Sequence, residues 1–290
     1  MKRLFIFIFV CCTGYAIVAA QEPSTVISFP ATDFPTSAQG RPSIHATLLG
    51  IGSTHQLETY LSPLEYQGPQ LHFMHETLRR TRHIDGRISV QTLWHGNFAY
   101  TKSPAENGRA LSGDISFDAA WHYRLFGPLD ESAAGKFRLL LGPQIGTTAG
   151  AIYNLRNGNN PVQALASVRL SASVAAIYGF HLWRQPFTAR YQIDVPLLGA
   201  KFSPNYGQSY YEIFSLGHYD HNICLTHPFN AFSSRHQLML DVPLHVTTLR
   251  LGYLCDLRQS HVNEIKYHSY SHAFVVGIVR YLTIHKPRKD

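Results

Sequence analysis

Histidine is frequent in this sequence, with 17 among 290 residues, so metal binding is one of the first chemistries to consider. His218, Asp220 and His221 lie within one short turn, near enough in sequence to share an ion. No further ligand follows at a recognisable spacing, and such residues are ordinary in tight turns. His268 and His272 share one strand face but would lie roughly 13 Å apart, too far for one ion. We therefore predict no metal and no cofactor.

A serine activated by a nearby histidine is the other chemistry that these residues permit. Outer-membrane phospholipases and lipid A deacylases carry the pair as His-x-Ser on one strand, which places both side chains on one face. None of the 17 histidines has serine two positions on. Ser234-Arg-His236 has the reverse order and falls in a predicted loop. A pair assembled across strands stays open, drawn for example from Ser209, Ser215, His218 and His272.

A polar and aromatic motif occupies residues 203–214 and has two interpretations. It could form a surface that binds a ligand at the mouth of a pore. Alternatively, Pro204 and Gly207 make a turn and the tyrosines anchor a short strand at a membrane interface, which is the interpretation we favour. The residues of this candidate mouth site are Asn205, Tyr206, Gln208, Tyr210, Tyr211 and Glu212.

An alternation of side-chain character in residues 111–126 indicates the element that carries such groups. Consecutive side chains of a strand face opposite sides. One face of this run is therefore apolar and aromatic, with Trp121 and Tyr123, while the other carries Asp118 and His122. The run is about twice the length of an ordinary strand and can cross a bilayer at a tilt. We interpret it as a transmembrane β-strand with its apolar face on lipid.

The same alternation recurs to the end of the chain and predicts an all-β fold, a transmembrane antiparallel up-and-down β-barrel of about 12 strands. An even count returns the C-terminus to the periplasmic side, and places the loops near 67–69, 102–109, 153–162, 201–207, 229–235 and 259–266 outside. Charges of mixed sign on the polar faces suit a narrow lumen in which ions must pair. The predicted lumen ion-pair residues are Asp114, Asp118, Arg124, Arg190, Asp194, Arg250 and Asp256. A soluble β-sandwich or lipocalin-like barrel would instead turn its apolar face inward.

The N-terminus has the features of a secretory signal peptide. A basic start at Lys2 and Arg3, an apolar segment and small residues before Gln21 predict cleavage after Ala20. A Pro-, Ser- and Thr-rich periplasmic lead-in at 21–44 follows, then the barrel at 45–285 and a short basic tail at 286–290. Cys224 and Cys255 remain after cleavage. If their strands pair through the turn near 227–235, the two cysteines lie far apart along the ladder, and we therefore predict two unlinked thiols.

Composition narrows the class of protein. Aromatic residues make up 12% and charged residues 15% of the chain, and the net charge is +7. Loss of the two signal-peptide cations leaves +5. This modest charge is spread along the chain without a basic run, which argues against nucleic acid as a partner. After the signal peptide no apolar run is long enough for a spanning helix.

Several stretches resemble a large family of uncharacterised outer-membrane β-barrels from Bacteroides-like bacteria, known only as a domain of unknown function. The similarity covers the chain after residue 45. It lies in the segments 60–68, 159–164, 203–214 and 270–274. It implies a barrel in the bacterial outer membrane and implies no activity.

From these observations we expect a monomeric outer-membrane barrel that is structural, or a narrow pore or binding protein. The expected partners are outer-membrane lipid and, during biogenesis, periplasmic chaperones and the barrel-assembly machinery. A surface lipid hydrolase is the first alternative function, and a secreted soluble binding barrel is the second.

Overall fold

The computed structural model describes residues 42–128, 136–158, 160–182, 185–244 and 247–283. The predicted signal peptide, most of the lead-in and the basic tail lie outside these residues. The strands are β1 (Pro42–Glu58), β2 (Ser62–Arg80), β3 (Ile88–Lys102), β4 (Arg109–Phe126), β5 (Phe137–Asn154), β6 (Val162–Leu182), β7 (Gln185–Phe202), β8 (Ile223–Thr226), β9 (Ser233–Pro243), β10 (Thr248–Val262) and β11 (Ile265–Thr283). Residues 42–44, which were predicted to belong to the lead-in, form the start of β1.

Ten of these strands close into an antiparallel barrel. Neighbouring strands pair in chain order from β1 to β7, then β7 with β9, β9 with β10, β10 with β11, and β11 with β1. Strand β8 pairs with the end of β7 at Gly199–Phe202. We call one end of the barrel the upper end. It carries the β1–β2, β3–β4, β5–β6, β7–β8 and β10–β11 connections. The expected all-β antiparallel barrel is confirmed.

The closed barrel has ten strands, with one strand outside it, instead of the predicted count of about 12. The predicted strand at 221–228 is the four-residue β8, which pairs only with the end of β7. Residues 208–216 do not form a strand, because Ser209 and Glu212 make a capping box that starts helix α1 (Tyr210–Phe214). The predicted turn at 67–69 lies inside β2, where Gly68 and Pro69 pair with β1 but not with β3. Proline lacks an N–H group, and the missing ladder bond to β3 accommodates it. The predicted external loop at 229–235 is shorter than expected, because Ser233 already begins β9.

The faces of the strands divide as the alternation predicts. On β4 the side chain of Trp121 is 42% exposed and points outward, whereas Asp118 is 2% exposed and points into the barrel. Tyr191 and Leu251 are likewise exposed, and Arg190 and Arg250 are buried. The predicted orientation, apolar outward and charged inward, is therefore confirmed.

The lumen is only partly polar. Nine buried apolar residues form a cluster on the inner faces of β1, β2, β3, β9, β10 and β11. They are Ala46, Leu48, Met74, Leu93, Met239, Leu254, Ala273, Val275 and Val279. This cluster fills part of the interior with tightly packed side chains, as expected for a small barrel. Within the described ranges no helix is both long and apolar enough to cross a membrane.

Candidate functional site

A first group of buried charges, the lower network, links four strands across the lumen. Glu76 on β2 accepts hydrogen bonds from Arg190 on β7 (2.5 Å) and from Arg250 on β10. Arg250 also binds both carboxylate oxygens of Asp241 on β9, at 2.6 and 2.8 Å. Two guanidinium groups therefore face two carboxylates, and the network carries no net charge. Bidentate pairing of this kind is the strong form of an ion pair.

A second group, the upper network, is also matched in charge. Asp118 binds Arg169 at 2.5 Å through one oxygen and Arg235 at 2.8 Å through the other. Asp256 lies between Arg235 and Arg258, and Arg258 reaches Asp114 at 2.9 Å. The network contains three arginines and three aspartates, Arg169, Arg235, Arg258, Asp114, Asp118 and Asp256.

Five of the seven predicted ion-pair residues belong to the two networks, whereas Asp194 and Arg124 make other contacts. Arg190 does not pair with Asp194 of the same strand, because Arg190 reaches across the lumen to Glu76. Asp194 is held by hydrogen bonds from Ser173 and Gln192. Arg124 donates to the carbonyl of Pro128 at the lower end.

Six residues of the site lie outside the predicted set of lumen ion pairs. The sequence pattern places Arg235 and Lys201 in loops, and the set does not contain Glu76, Asp241, Arg169 or Arg258. Strand β9 alternates Arg235, Gln237, Met239 and Asp241 on its inner face. This alternation is visible in the sequence, but the predicted loop at 229–235 includes Arg235 and so hides the start of the strand.

One buried cluster contains serine, histidine and aspartate, but the direction of its hydrogen bonds does not support nucleophilic catalysis. Ser173 donates its hydroxyl proton to Asp194 at 2.5 Å and lies 2.8 Å from Nε2 of His122. A hydroxyl has one proton, so Ser173 must accept a hydrogen bond from the histidine. His122 is therefore a donor to Ser173 here and not its base. Both residues are nearly inaccessible to solvent.

A cavity of about 130 Å³ lies beside the upper network. Its lining includes Asp118, Arg169, Arg235 and Arg258, together with Lys201 of β7. The Lys201 ammonium group donates to Ser260 Oγ at 2.7 Å and lies 4.4 Å from the ring centroid of Tyr267. Drug-sized ligands occupy roughly 300–1,000 Å³, so this cavity has room for a small polar group.

The β7–β8 connection, residues 203–222, spans the upper mouth, and we call it the cap loop. Gln208 of the cap loop accepts a hydrogen bond from Tyr60 in the β1–β2 turn at 2.8 Å. Tyr210 donates to Gln163 on β6, which stands on the opposite side of the barrel from β1. Asn263 in the β10–β11 turn donates to the carbonyl of His221 at 2.9 Å. The loop is thus fastened at three points around the mouth.

The candidate mouth residues divide between two roles. Asn205 and Gln208 bond within the cap loop, to the carbonyls of Asp220 and His218. Glu212 caps α1. The two remaining tyrosines, Tyr206 and Tyr211, are exposed. Their rings, together with that of Phe214, are the large side chains of the motif that are most open to a ligand outside the mouth.

The cap of α1 predicts a pH effect. Hydrogen bonds from the backbone and hydroxyl of Ser209 hold the pKa of Glu212 below its ordinary value. The cap therefore contributes at pH values above the ordinary glutamate pKa and is lost as the pH falls through the lowered one. We expect the amide resonance of Ser209 to titrate with a midpoint below that of an exposed glutamate. Glu212→Gln should abolish this titration, and a midpoint at or above the ordinary value would contradict the cap.

A serine–histidine pair also occurs on the outer face of the wall. On β9 the hydroxyl of Ser234, a residue that is itself only 5% exposed, lies 3.1 Å from Nε2 of His236. Nδ1 of the same ring lies 2.7 Å from the hydroxyl of Tyr191 on β7. If Nδ1–H donates to Tyr191, Nε2 is free to accept the serine proton, which is the arrangement that a general base requires.

The turn with the predicted histidines does not assemble a metal site. Asp220 and His221 lie 3.0 Å apart, and both are largely exposed. Within the described ranges no group of three or more His, Cys, Asp or Glu side chains is arranged to hold a metal ion. Cys224 and Cys255 are free thiols.

Comparison with known proteins gives one family and several distant structures. The model of DUF3316, a protein family of unknown function, matches residues 6–289. The Escherichia coli outer-membrane protease OmpT is 8% identical, with a TM-score of 0.47, over 86% of this chain and all of OmpT. The E. coli AIDA-I autotransporter transport unit is 8% identical, with a TM-score of 0.42, over 85% of this chain and 92% of that one. These similarities are too low to support an inference about activity. No curated protein matches the chain.

Proposed function

The chain belongs to the DUF3316 family, and from its geometry we propose an outer-membrane β-barrel that binds a small polar group in its upper cavity and is closed to passage. The observation that carries this proposal is the position of the cavity. It lies between a cap loop fastened above it and a charge-matched, side-chain-filled lumen.

Placement in a membrane follows from the outer face. Nine of the ten wall strands have 15–21 residues. Such strands are long enough to cross the apolar part of a bilayer at a tilt. Their outward side chains are mostly large and apolar, an arrangement that would be costly in water. The bacterial outer membrane is the environment that accepts single-chain barrels of this kind.

The two networks support the proposed closure of the lumen. A selective channel presents a ring of unbalanced charge or backbone carbonyls to the passing ion. In this lumen every arginine of the two networks is paired with a carboxylate, so an ion passing through would have to separate buried pairs. The apolar cluster adds a second obstruction, because its packed side chains fill one side of the lumen.

Cysteine accessibility tests both parts of the proposal. In an otherwise cysteine-free chain, Ser260→Cys places a thiol at the upper cavity and Gln192→Cys places one in the closed lumen. We expect a small anionic methanethiosulfonate to modify the first and not the second. Modification of both would indicate an open lumen, and modification of neither would show that the cavity is sealed. Either result would overturn the proposal.

The outward Ser234–His236–Tyr191 arrangement favours a second candidate, a lipid hydrolase on the outer wall. Ser234 Oγ would attack an ester carbonyl and pass its proton to His236 Nε2, which then protonates the departing alcohol. Water would hydrolyse the acyl-serine and regenerate the enzyme. Tyr191 would hold the ring in the required tautomer.

A fluorophosphonate probe tests this second candidate on the purified barrel. If it is correct, labelling should occur and should be lost in Ser234→Ala. The matched control is Ser43→Ala. Ser43 has the same Ser-x-His spacing, and its hydroxyl lies 2.9 Å from Nε2 of His45. Absence of labelling, or labelling that survives Ser234→Ala, would exclude the hydrolase.

A further inference from the structure

We propose that the upper cavity takes the acidic head group of a lipid, a carboxylate or phosphate, which enters through an interruption in the barrel wall and binds Lys201. This inference rests on the proposed binding function and adds the chemical class of the ligand.

The wall is interrupted between β8 and β9. Strand β7 pairs with β9 at Thr188–Asp194 and with β8 at Gly199–Phe202. The intervening residues 195–198 have neither partner on that side, and residues 227–232 form no ladder pair with β7. The β9–β10 ladder ends at the Ser233–Arg258 pair. Above it, β10 is joined to this segment by a hydrogen bond from His261 N to Asn230 O at 2.8 Å.

The cavity reaches this interruption. Its lining includes three runs of consecutive residues, 165–169 on β6, 233–235 on β9 and 258–260 on β10. The runs on β9 and β10 flank the interruption, and the cavity therefore lies directly behind it. A ligand can enter there from the side.

Lys201 is the cation in the cavity that has no carboxylate partner. Arg169, Arg235 and Arg258 each make ion pairs, whereas the described contacts of Lys201 are Ser260 and the ring of Tyr267. The carboxylate of Glu58 is near enough to attract Lys201, but no ion pair between the two is found among the described residues. A partly buried ammonium group without a direct ion-pair partner is costly. An acidic head group would supply the missing charge and a charge-assisted hydrogen bond.

The surroundings of the interruption favour a lipid as the source of the acid. The outward side chains of Val168, Leu198 and Leu225 are exposed around it, and Phe229 is 97% exposed. With room for about 130 Å³, the cavity admits a head group but not an acyl chain. The chain would therefore lie outside, along these apolar side chains, while the head group lies inside.

Photo-crosslinking with a palmitic acid analogue that carries a diazirine in its chain tests the proposal. The barrel is held in nanodiscs of zwitterionic lipid, and crosslinked peptides are mapped by mass spectrometry. We expect labelling within residues 195–200 and 223–232. Lys201→Met should reduce it about tenfold, in line with the loss of one hydrogen bond to a charged group. Lys201→Arg should restore most of it, and Lys266→Met, at an exposed lysine on β11, should leave it unchanged.

Two further arms identify the ligand. The long-chain alcohol that matches the acid should label the wild-type barrel only as weakly as the acid labels Lys201→Met. Millimolar inorganic phosphate should not displace the acid from the wild-type barrel. Equal labelling of wild type and Lys201→Met, with Ser260→Cys still reactive, would overturn the head-group assignment and leave the binding cavity intact. Unreactive Ser260→Cys would overturn both. Displacement by phosphate would assign the site to the free ion and overturn the lipid.

Discussion

Glu76→Ala is expected to lower the free energy of unfolding of the barrel by about 3–5 kcal/mol, the typical cost of removing one partner from a buried ion pair. Glu76 is the carboxylate shared by Arg190 and Arg250. Its removal leaves Arg190 without an ion-pair partner, while Arg250 keeps Asp241. The measurement is urea unfolding from detergent micelles, followed by tryptophan fluorescence.

The matched control lies on the same strand. Glu65 is exposed, and its carboxylate contacts His55 and His268 at 3.6 and 3.4 Å. Glu65→Ala should change the stability by less than about 1 kcal/mol, as expected for an exposed pair. Equal effects of the two substitutions would show that the lower network does not hold the barrel together in the way described.

Removing the whole lower network should cost less stability than the single substitutions suggest, and it should make the barrel conduct ions. The quadruple variant Glu76→Ala, Arg190→Ala, Arg250→Ala and Asp241→Ala removes two cations and two anions together. No charge of this network is then left unpaired, so the quadruple variant should be destabilised by less than the sum of the four single substitutions. The loss of four large side chains should also open a water-filled path beside the apolar cluster.

Planar-bilayer recordings test that path. The wild-type barrel should show no steady conductance, and the quadruple variant should show stepwise currents. Leu93→Ala, which shortens an apolar side chain of the cluster without touching a charge, is the control and should remain closed. Steady conductance of the wild type, or a closed quadruple variant that is correctly folded, would contradict the role of the network as the plug.

The sequence was sufficient to predict the barrel and its polarity. Alternation between residues 111 and 126 specified β4 and the inward position of Asp118, because side-chain direction in a strand depends only on parity. The alternation of side chains does not locate turns or fix the number of strands where the wall is irregular. Pro69 inside β2 looked like a turn, and the capping box of Ser209 and Glu212 signalled a helix that a strand-based interpretation overlooked.

The partners within the lumen were less predictable. Glu76 and Arg190 meet across the barrel although they are 114 residues apart, and such a pairing depends on the closure and stagger of the sheet. The role of Lys201 could not be predicted from the sequence for the same reason. Its distinguishing property is the absence of an ion pair, which appears only when all neighbouring charges have been placed. The three-point fastening of the cap loop likewise depends on tertiary contacts.

The most direct test of the central claim, that apolar side chains face lipid while charges fill the lumen, is the environment of Trp121. A variant with Trp94→Phe and Trp183→Phe keeps Trp121 as the sole tryptophan. Reconstituted in bilayers with brominated acyl chains, its fluorescence should be strongly quenched, and aqueous acrylamide should have little effect. Strong quenching by acrylamide with none from the brominated lipid would place Trp121 in water and contradict the account.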